Sequence, residues 1–170
     1  IANLGTVTAP GGLTLDNGNT ALAVAGNIST GTAAILIDTG SGGYTQNTDI
    51  DVSGANITIT ADSIALNANT GSNAFQTAGT LILQPTTTTQ AMSLAGAAGF
   101  DLSQAEISSF LSGTTGTVQI GNSSMTGTGD LTIGGDISFG TASAALLADA
   151  IDDAGINTIT AGTLSLTANS

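Results

Sequence analysis

The residues able to do chemistry in this chain are almost all aspartates. Eleven Asp and Glu106 are its only charged side chains; Lys, Arg, His and Cys do not occur. Asp49 and Asp51 stand two residues apart in the predicted strand Asp49–Ser53, which puts both carboxylates on one face. A carboxylate pair at roughly 5–10 Å is the arrangement that glycoside hydrolysis uses. Neither an aromatic platform nor a basic residue that would hold a sugar acid adjoins this pair, and a solvated strand face is the competing reading. Asp152–Asp153 forms a second pair to which the same two readings apply.

Gly127–Gly140, GTGDLTIGGDISFG, resembles one degenerate copy of the Gly- and Asp-rich calcium repeats of secreted β-rolls. Calcium prefers hard oxygen ligands, here Asp130 and Asp136 with turn carbonyls. The alternative is a pair of solvated turn aspartates. Thr-x-Thr occurs at Thr6/Thr8, Thr58/Thr60 and Thr158/Thr160. Flat arrays of such pairs serve ice-binding solenoids; ordinary strand-surface threonine is the competing reading. Asn27, Asn56 and Asn122 open Asn-x-Ser/Thr sequons, which the abundance of Asn and Thr explains by chance. Tyr44, Phe75, Phe100, Phe110 and Phe139 are the only aromatics. They suit either a patch for a partner or the filling of a narrow core.

The residues that are missing exclude more than those present suggest. Without His, Lys or Cys there is no common general base near neutral pH, no thiolate nucleophile and no Schiff base. A net charge of −12 with no cation opposes contact with phosphate backbones, so no nucleic-acid partner is expected. It opposes attraction to an anionic membrane equally. No apolar run reaches membrane-spanning length, so direct membrane insertion is not expected. No enzymatic activity and no required cofactor are expected, with Ca2+ at Asp130 and Asp136 the one candidate.

The elements that must position these residues are short strands. Hydrophobic residues make up 41% of the chain and mean hydropathy is +0.35, so disorder is not indicated. The apolar residues are small aliphatics, which suit a thin core repeated many times. Alternation with period two marks Gly12–Leu15, Ala21–Ala25, Ala34–Asp38, Asn56–Thr60, Ser63–Asn67, Thr80–Leu83, Thr117–Gly121, Asp130–Ile133 and Asp136–Phe139, besides Asp49–Ser53. Gly, Asn, Asp and Ser separate them, as at Asp16–Asn19, Asn69–Asn73 and Gly134–Asp136.

One unit keeps returning. Ile59–Leu66 reads ITADSIAL, Gln76–Leu83 QTAGTLIL, Ile159–Leu166 ITAGTLSL and Thr8–Leu15 TAPGGLTL. Near-identical units, small buried residues and few hairpin signals favour a solenoid over a sandwich. At roughly 20 residues per turn the chain predicts about eight turns and a rod near 40 Å. Two stretches break the pattern. Ser103 and Glu106 form a capping box that predicts a helix over 104–111, with Leu102 and Ile107 as its hydrophobic staple and Gly113 as its C-terminal cap. Thr141–Gly155, rich in Ala and Leu, predicts a second helix. Both are expected to cap or decorate the rod rather than build its core.

The segments TAPGGLTL, GYTQNTDIDVSGANITITADSIALNA and FDLSQAEISSFLSGTTGTVQIG resemble filamentous haemagglutinin-like proteins. These are surface adhesins of Gram-negative bacteria exported by two-partner secretion. The resemblance spans about Asn3 to Asn169 and implies an all-β fold, a right-handed parallel β-helix (β-solenoid) with one or two short helical insertions. It implies a structural stalk at the bacterial cell surface and carries over no active-site residues. Residues 1–170 are thus expected to form a single elongated segment, one repeat of a longer chain. Its expected partners are adjoining repeats or copies of itself end to end, and a host or neighbouring-cell surface. The alternative is a self-assembling extracellular filament or surface-layer subunit.

Overall fold

The computed structural model describes residues 1–66, 74–96 and 99–169; the predicted turn at Asn69–Asn73 and the end of the predicted strand Ser63–Asn67 lie outside them. The chain winds into seven turns of a parallel β-solenoid, each visiting three faces in the same order. The first turn holds β1 (Asn3–Leu4), β2 (Val7–Thr8) and β3 (Leu13–Asp16), and the second β4 (Leu22–Val24), β5 (Ile28–Ser29) and β6 (Ile35–Asp38). The third holds β7 (Gly43–Gln46), β8 (Val52–Ser53) and β9 (Ile57–Thr60), and the fourth β10 (Ser63–Leu66), β11 (Phe75–Gln76) and β12 (Thr80–Gln84). The fifth contains β13 (Met92–Leu94), β14 (Phe100–Leu102), the helix α1 (Gln104–Leu111) and β15 (Thr117–Gly121). The sixth has β16 (Leu131–Ile133), β17 (Ile137–Ser138) and β18 (Ser143–Ala148), and the last β19 (Ile151–Asp153), β20 (Ile159–Thr160) and β21 (Thr163–Ala168).

The third face is one sheet of seven parallel strands, in the order β21-β18-β15-β12-β9-β6-β3. Its register builds two inward columns, Leu13–Ile35–Ile57–Leu81–Val118–Ala144–Leu164 and Leu15–Ile37–Ile59–Leu83–Ile120–Leu146–Leu166. Strands stacked about 4.8 Å apart leave no room for bulk between layers, which is why short aliphatics fill these columns. Six such steps put β21 roughly 29 Å from β3. The outward residues alternate with the inward ones, as the period-two pattern requires.

Turn length is not constant. Successive members of the first column are 22, 22, 24, 37, 26 and 20 residues apart. The 37-residue step explains why seven turns form where a steady 20 residues predicts eight. In that turn the chain leaves β12 and enters the first face as β13, one level ahead. β14 then pairs parallel with β13 and lies between it and β10. On the second face α1 lies between β11 and β17, where a strand would otherwise run. A helix about 10 Å across fills roughly two strand spacings. The doubled strand widens the first face by the matching amount.

The helix forms where the capping box places it. The Ser103 hydroxyl accepts from the Glu106 N–H at 3.2 Å, and Glu106 Oε2 accepts from the Ser103 N–H at 2.9 Å. Glu106 Oε1 also accepts from the Leu66 N–H at 2.9 Å, which ties the cap to β10. Ile107 and Phe110 are fully buried, so α1 builds the core and is not a decoration. Its C-terminal cap is Ser112 in a right-handed conformation, and Gly113 does not take the left-handed role expected of it.

The predicted second helix is not formed. Thr141–Gly155 holds β18 and β19 instead. Ala144, Leu146 and Ala148 alternate inward, and β18 is paired on both sides by β15 and β21. Two ladders of backbone hydrogen bonds outweigh the helix propensity of Ala and Leu, a few tenths of a kcal/mol per residue.

The repeated unit marks one corner. TAPGGLTL, QTAGTLIL and ITAGTLSL all turn from the second face to the third, by way of β2–β3, β11–β12 and β20–β21. ITADSIAL instead turns from the third face to the first, by way of β9–β10. The 17-residue offset between ITADSIAL and QTAGTLIL is therefore not a turn length.

Candidate functional site

The structure takes one of the two suggested carboxylate pairs, Asp49 and Asp51, off a common strand face. Asp49 lies in a turn with φ of 59°, and the strand begins only at Val52, so Asp49 and Asp51 do not share a strand face. The Asp51 N–H donates to Asn27 Oδ1 at 3.1 Å. Asp152 and Asp153 both line a cavity at the last turn, with Asp153 at the register position over Ile133. A groove of about 440 Å³ at the corner between the second and third faces is lined by Gly31, Gly54, Ala55, Thr77 and their neighbours, with no carboxylate.

Asp130 and Asp136 flank β16 at different corners. Asp130 Oδ1 accepts from the Ala150 N–H at 3.2 Å, and Asp136 Oδ1 accepts from the Thr158 N–H at 2.8 Å. Each carboxylate thus holds the backbone of the next turn. Among the described residues no three Asp, Glu, His or Cys side chains gather as a metal cluster would.

These two contacts belong to a wider system of side-chain ties between turns. Asn19 Oδ1 accepts from the Ser41 N–H at 3.1 Å and Asn56 Oδ1 from the Thr80 N–H at 2.9 Å. Asp62 Oδ1 accepts from the N–H groups of Thr86 and Thr87, at 3.0 and 2.8 Å. Hydroxyls do the converse: Thr39 Oγ1 donates to the Thr60 carbonyl at 3.3 Å. Corners lack a continuous backbone ladder, so a side-chain oxygen one turn away satisfies the free N–H. The signal in the sequence is an Asn or Asp at a corner with a backbone N–H some 20–25 residues later.

The Thr-x-Thr pairs do not form one array. Thr58 and Thr60 lie on the third face, whereas Thr8 and Thr160 lie on the second. In the third-face outward column Leu36 and Ile82 interrupt Thr14 and Thr58. The five aromatics are all buried. Tyr44, Phe75 and Phe110 pack in series, with ring centroids 6.4 and 6.1 Å apart. The Tyr44 hydroxyl donates to Gln46 Oε1 at 2.9 Å, and Gln46 Nε2 donates to the carbonyls of Ile50 and Ala74. Burial holds the Tyr44 phenol above its ordinary pKa, so it stays neutral. The aromatics are core and offer no surface patch. Of the sequon residues, Asn27 and Asn56 hold neighbouring turns, and Asn122 Nδ2 donates to the Pro85 carbonyl at 3.2 Å.

Among the described residues the exposed large apolar side chains are Ile1 in the first turn, Leu36 on the outward side of β6, and Ile156, Leu164 and Leu166 in the last turn. A cavity of about 240 Å³ opens at the last turn, lined by Ile133, Ile151, Asp152, Asp153, Asn157, Ile159 and Leu166. Asp153 accepts from the N–H groups of Asn157 and Gly155, at 3.2 and 3.1 Å, and from Asn157 Nδ2. These donors, the Asn157 N–H first, hold its carboxyl below the usual range. Neither protein-family models, nor curated proteins, nor solved structures match this chain.

Proposed function

We propose that this chain is a non-enzymatic structural stalk segment of an extracellular bacterial surface adhesin of the filamentous haemagglutinin-like type. The observation that carries the reading is the unbroken seven-stranded parallel sheet, with side-chain ties between turns at the corners. Such a stack is stiff without disulfides, because every strand interior to it is hydrogen-bonded on both edges. A stalk of this kind holds distant binding sites away from the cell and meets a host or neighbouring cell through them. The uncompensated charge of −12 keeps neighbouring rods apart. Immunolabelling of intact cells with an antibody to residues 1–170 should decorate the surface; label seen only after permeabilisation would end this reading.

The same parallel stack supports a second reading, a filament or surface-layer subunit stacked end to end. The intact mass of the native polypeptide under full denaturation separates the two. A mass many times 16.3 kDa means a covalent array of repeats, and a mass near it, with larger particles only under native conditions, means a polymerising subunit.

A further inference from the structure

The corner between the second and third faces is uneven. Thr30–Ala33 in the second turn and Phe139–Ala142 in the sixth form the same projecting turn. The Ala33 and Ala142 N–H groups donate to the carbonyls of Thr30 and Phe139, each at 3.1 Å, and Gly31 and Gly140 take φ of 62° and 60°. Their sequences match, ISTGTA at Ile28–Ala33 and ISFGTA at Ile137–Ala142. The corners 54–56, 77–79 and 114–116 between them carry no such turn, and Gly54, Ala55, Thr77 and Ala78 line a trough there. At its far end a cleft of about 460 Å³ separates Thr114 and Thr115 from the turn Phe139–Ala142, with Leu111 and Phe139 as its apolar lining. Thr115 lines both the cleft and the groove of about 440 Å³, so the two adjoin. The cleft opens where chain leaving α1 meets chain leaving β17. Among the described residues no backbone hydrogen bond joins 114–116 to 139–142.

One group lining the cleft has no partner. Thr30, Thr77 and Thr114 are buried at this corner, at 0%, 4% and 2% exposure. Thr30 Oγ1 donates to the Ala33 carbonyl at 2.7 Å, and Thr77, in register with Thr114, donates to the Ala55 carbonyl. The Thr114 hydroxyl makes no hydrogen bond among the described residues. Leaving a buried hydroxyl unpaired is costly, and a ligand that pairs it recovers that cost. We propose that the cleft and its adjoining trough bind a short, unbranched, uncharged saccharide, with the Thr114 hydroxyl as the buried anchor. Charge selects this class. No carboxylate lines either cavity, so a cationic ligand has no counter-ion there. The chain has no side-chain cation to hold a sulfate, a phosphate or a sugar acid, and its net charge of −12 repels all three. A hydroxyl offers one donor and two acceptor sites, so its partner must do both, as sugar hydroxyls do. Thr115 and Thr141, exposed on facing sides of the cleft, offer the same chemistry. A peptide would bind by adding its main chain to a free strand edge, whereas the residues lining the cleft sit in turns and at the end of α1. The volume of about 460 Å³ falls within the roughly 300–1,000 Å³ of small-ligand sites. From the second turn to the sixth is four strand spacings, roughly 19 Å, which gives room for several sugar rings in a row.

The site stands whether the chain is a stalk segment or a filament subunit, and its test reads binding alone. The isotope-labelled 170-residue chain is titrated with maltotriose, cellotriose and triacetylchitotriose while its amide NMR spectrum is followed. At least one of the three should shift the amides of Thr114, Thr115 and Thr141 together with Ala78, with a Kd of about 1 mM. That Kd should stay the same between about 20 and 500 mM NaCl, because no charge pair forms. N-acetylneuraminic acid and the peptide acetyl-Gly-Ser-Gly amide should leave these amides in place. Thr114→Val keeps the side-chain shape and removes the hydroxyl. It should weaken binding tenfold or more and leave the thermal midpoint unchanged or higher, since no hydrogen bond within the fold is lost. Thr141→Leu, on the exposed side of the cleft, should weaken binding as much and serves as the test should Thr114→Val fail to fold, as judged by circular dichroism. No shift at these amides with any of the three trisaccharides, far above that Kd, overturns the proposal. So does binding undiminished in the folded variants, or a response to the peptide or the sugar acid in place of the neutral sugars.

Discussion

The fourth and the last turns carry the same pattern, TLIL and TLSL, on the same face of the solenoid. In the fourth, Leu81 and Leu83 lie between Ile57 and Ile59 on one side and Val118 and Ile120 on the other, and water does not reach them. In the last, Leu164 and Leu166 have Ala144 and Leu146 on one side and nothing on the other. Alternation decides which residues point inward. Burial needs a turn above and a turn below.

The largest test of that contrast is truncation in the two places. Leu83→Ala should cost about 3 kcal/mol, through lost transfer energy and a cavity walled on both sides. Leu166→Ala should cost under about 1 kcal/mol, because its site is already open to water. Urea denaturation of both variants at one pH measures the difference; equal losses would mean that the end turn is covered in solution. Glycines sharpen the same comparison. Gly121, at φ of 82°, faces the Leu147 carbonyl so closely that a Cβ would overlap it, whereas Gly140, at φ of 60°, faces open space. Gly121→Ala should cost about 3 kcal/mol and Gly140→Ala about 1, since the second incurs only the strain of a positive φ while the first adds overlap with the Leu147 carbonyl.

A smaller effect is expected at the helix. Ser103→Ala removes the acceptor for the Glu106 N–H and should cost about 1 kcal/mol in thermal or urea unfolding. The smallest is at Asp153. Its carboxyl is held below the usual range, so the loop 154–157 gains stability that is complete above the unfolded-state pKa and is lost as pH falls through the folded one. Amide exchange at Gly155 and Asn157 should quicken in acid relative to amides of the fourth turn, once corrected for intrinsic rates. Parallel behaviour in both regions would show that the Asp153 contacts do not hold the loop.

Much of the solenoid was legible because alternation and corner residues are local. Thr117–Gly121 and the helix 104–111 lie where the sequence predicts them, and most other predicted strands are matched within a residue or two. Asp49–Ser53 was too long by three residues, because Asp49 adopts a left-handed turn that composition does not reveal. The second helix failed because Ala-rich alternation reads as either element until its neighbours are known. Strands of two or three residues, such as β5, β13 and β14, carry too few alternations to be seen. At the candidate sites, composition alone removed most chemistry, yet it could not say that Asp130 and Asp136 each hold the next turn's backbone.

What the sequence determined by itself is the character of each short segment. Small alternating aliphatics can fill a narrow stacked core, twelve carboxylates without a cation leave the surface uniformly acidic, and Ser103 with Glu106 starts a helix. Those properties depend on residues close together in the chain. Only the tertiary structure decided which strands stack. It placed β14 behind β13, set α1 into two strand spacings, buried Leu83 and left Leu166 open. Apart from the β13–β14 pairing, which joins residues eight positions apart, those outcomes depend on contacts between residues some 20 or more positions apart or on whether a turn lies alongside, and the local pattern is the same in either case.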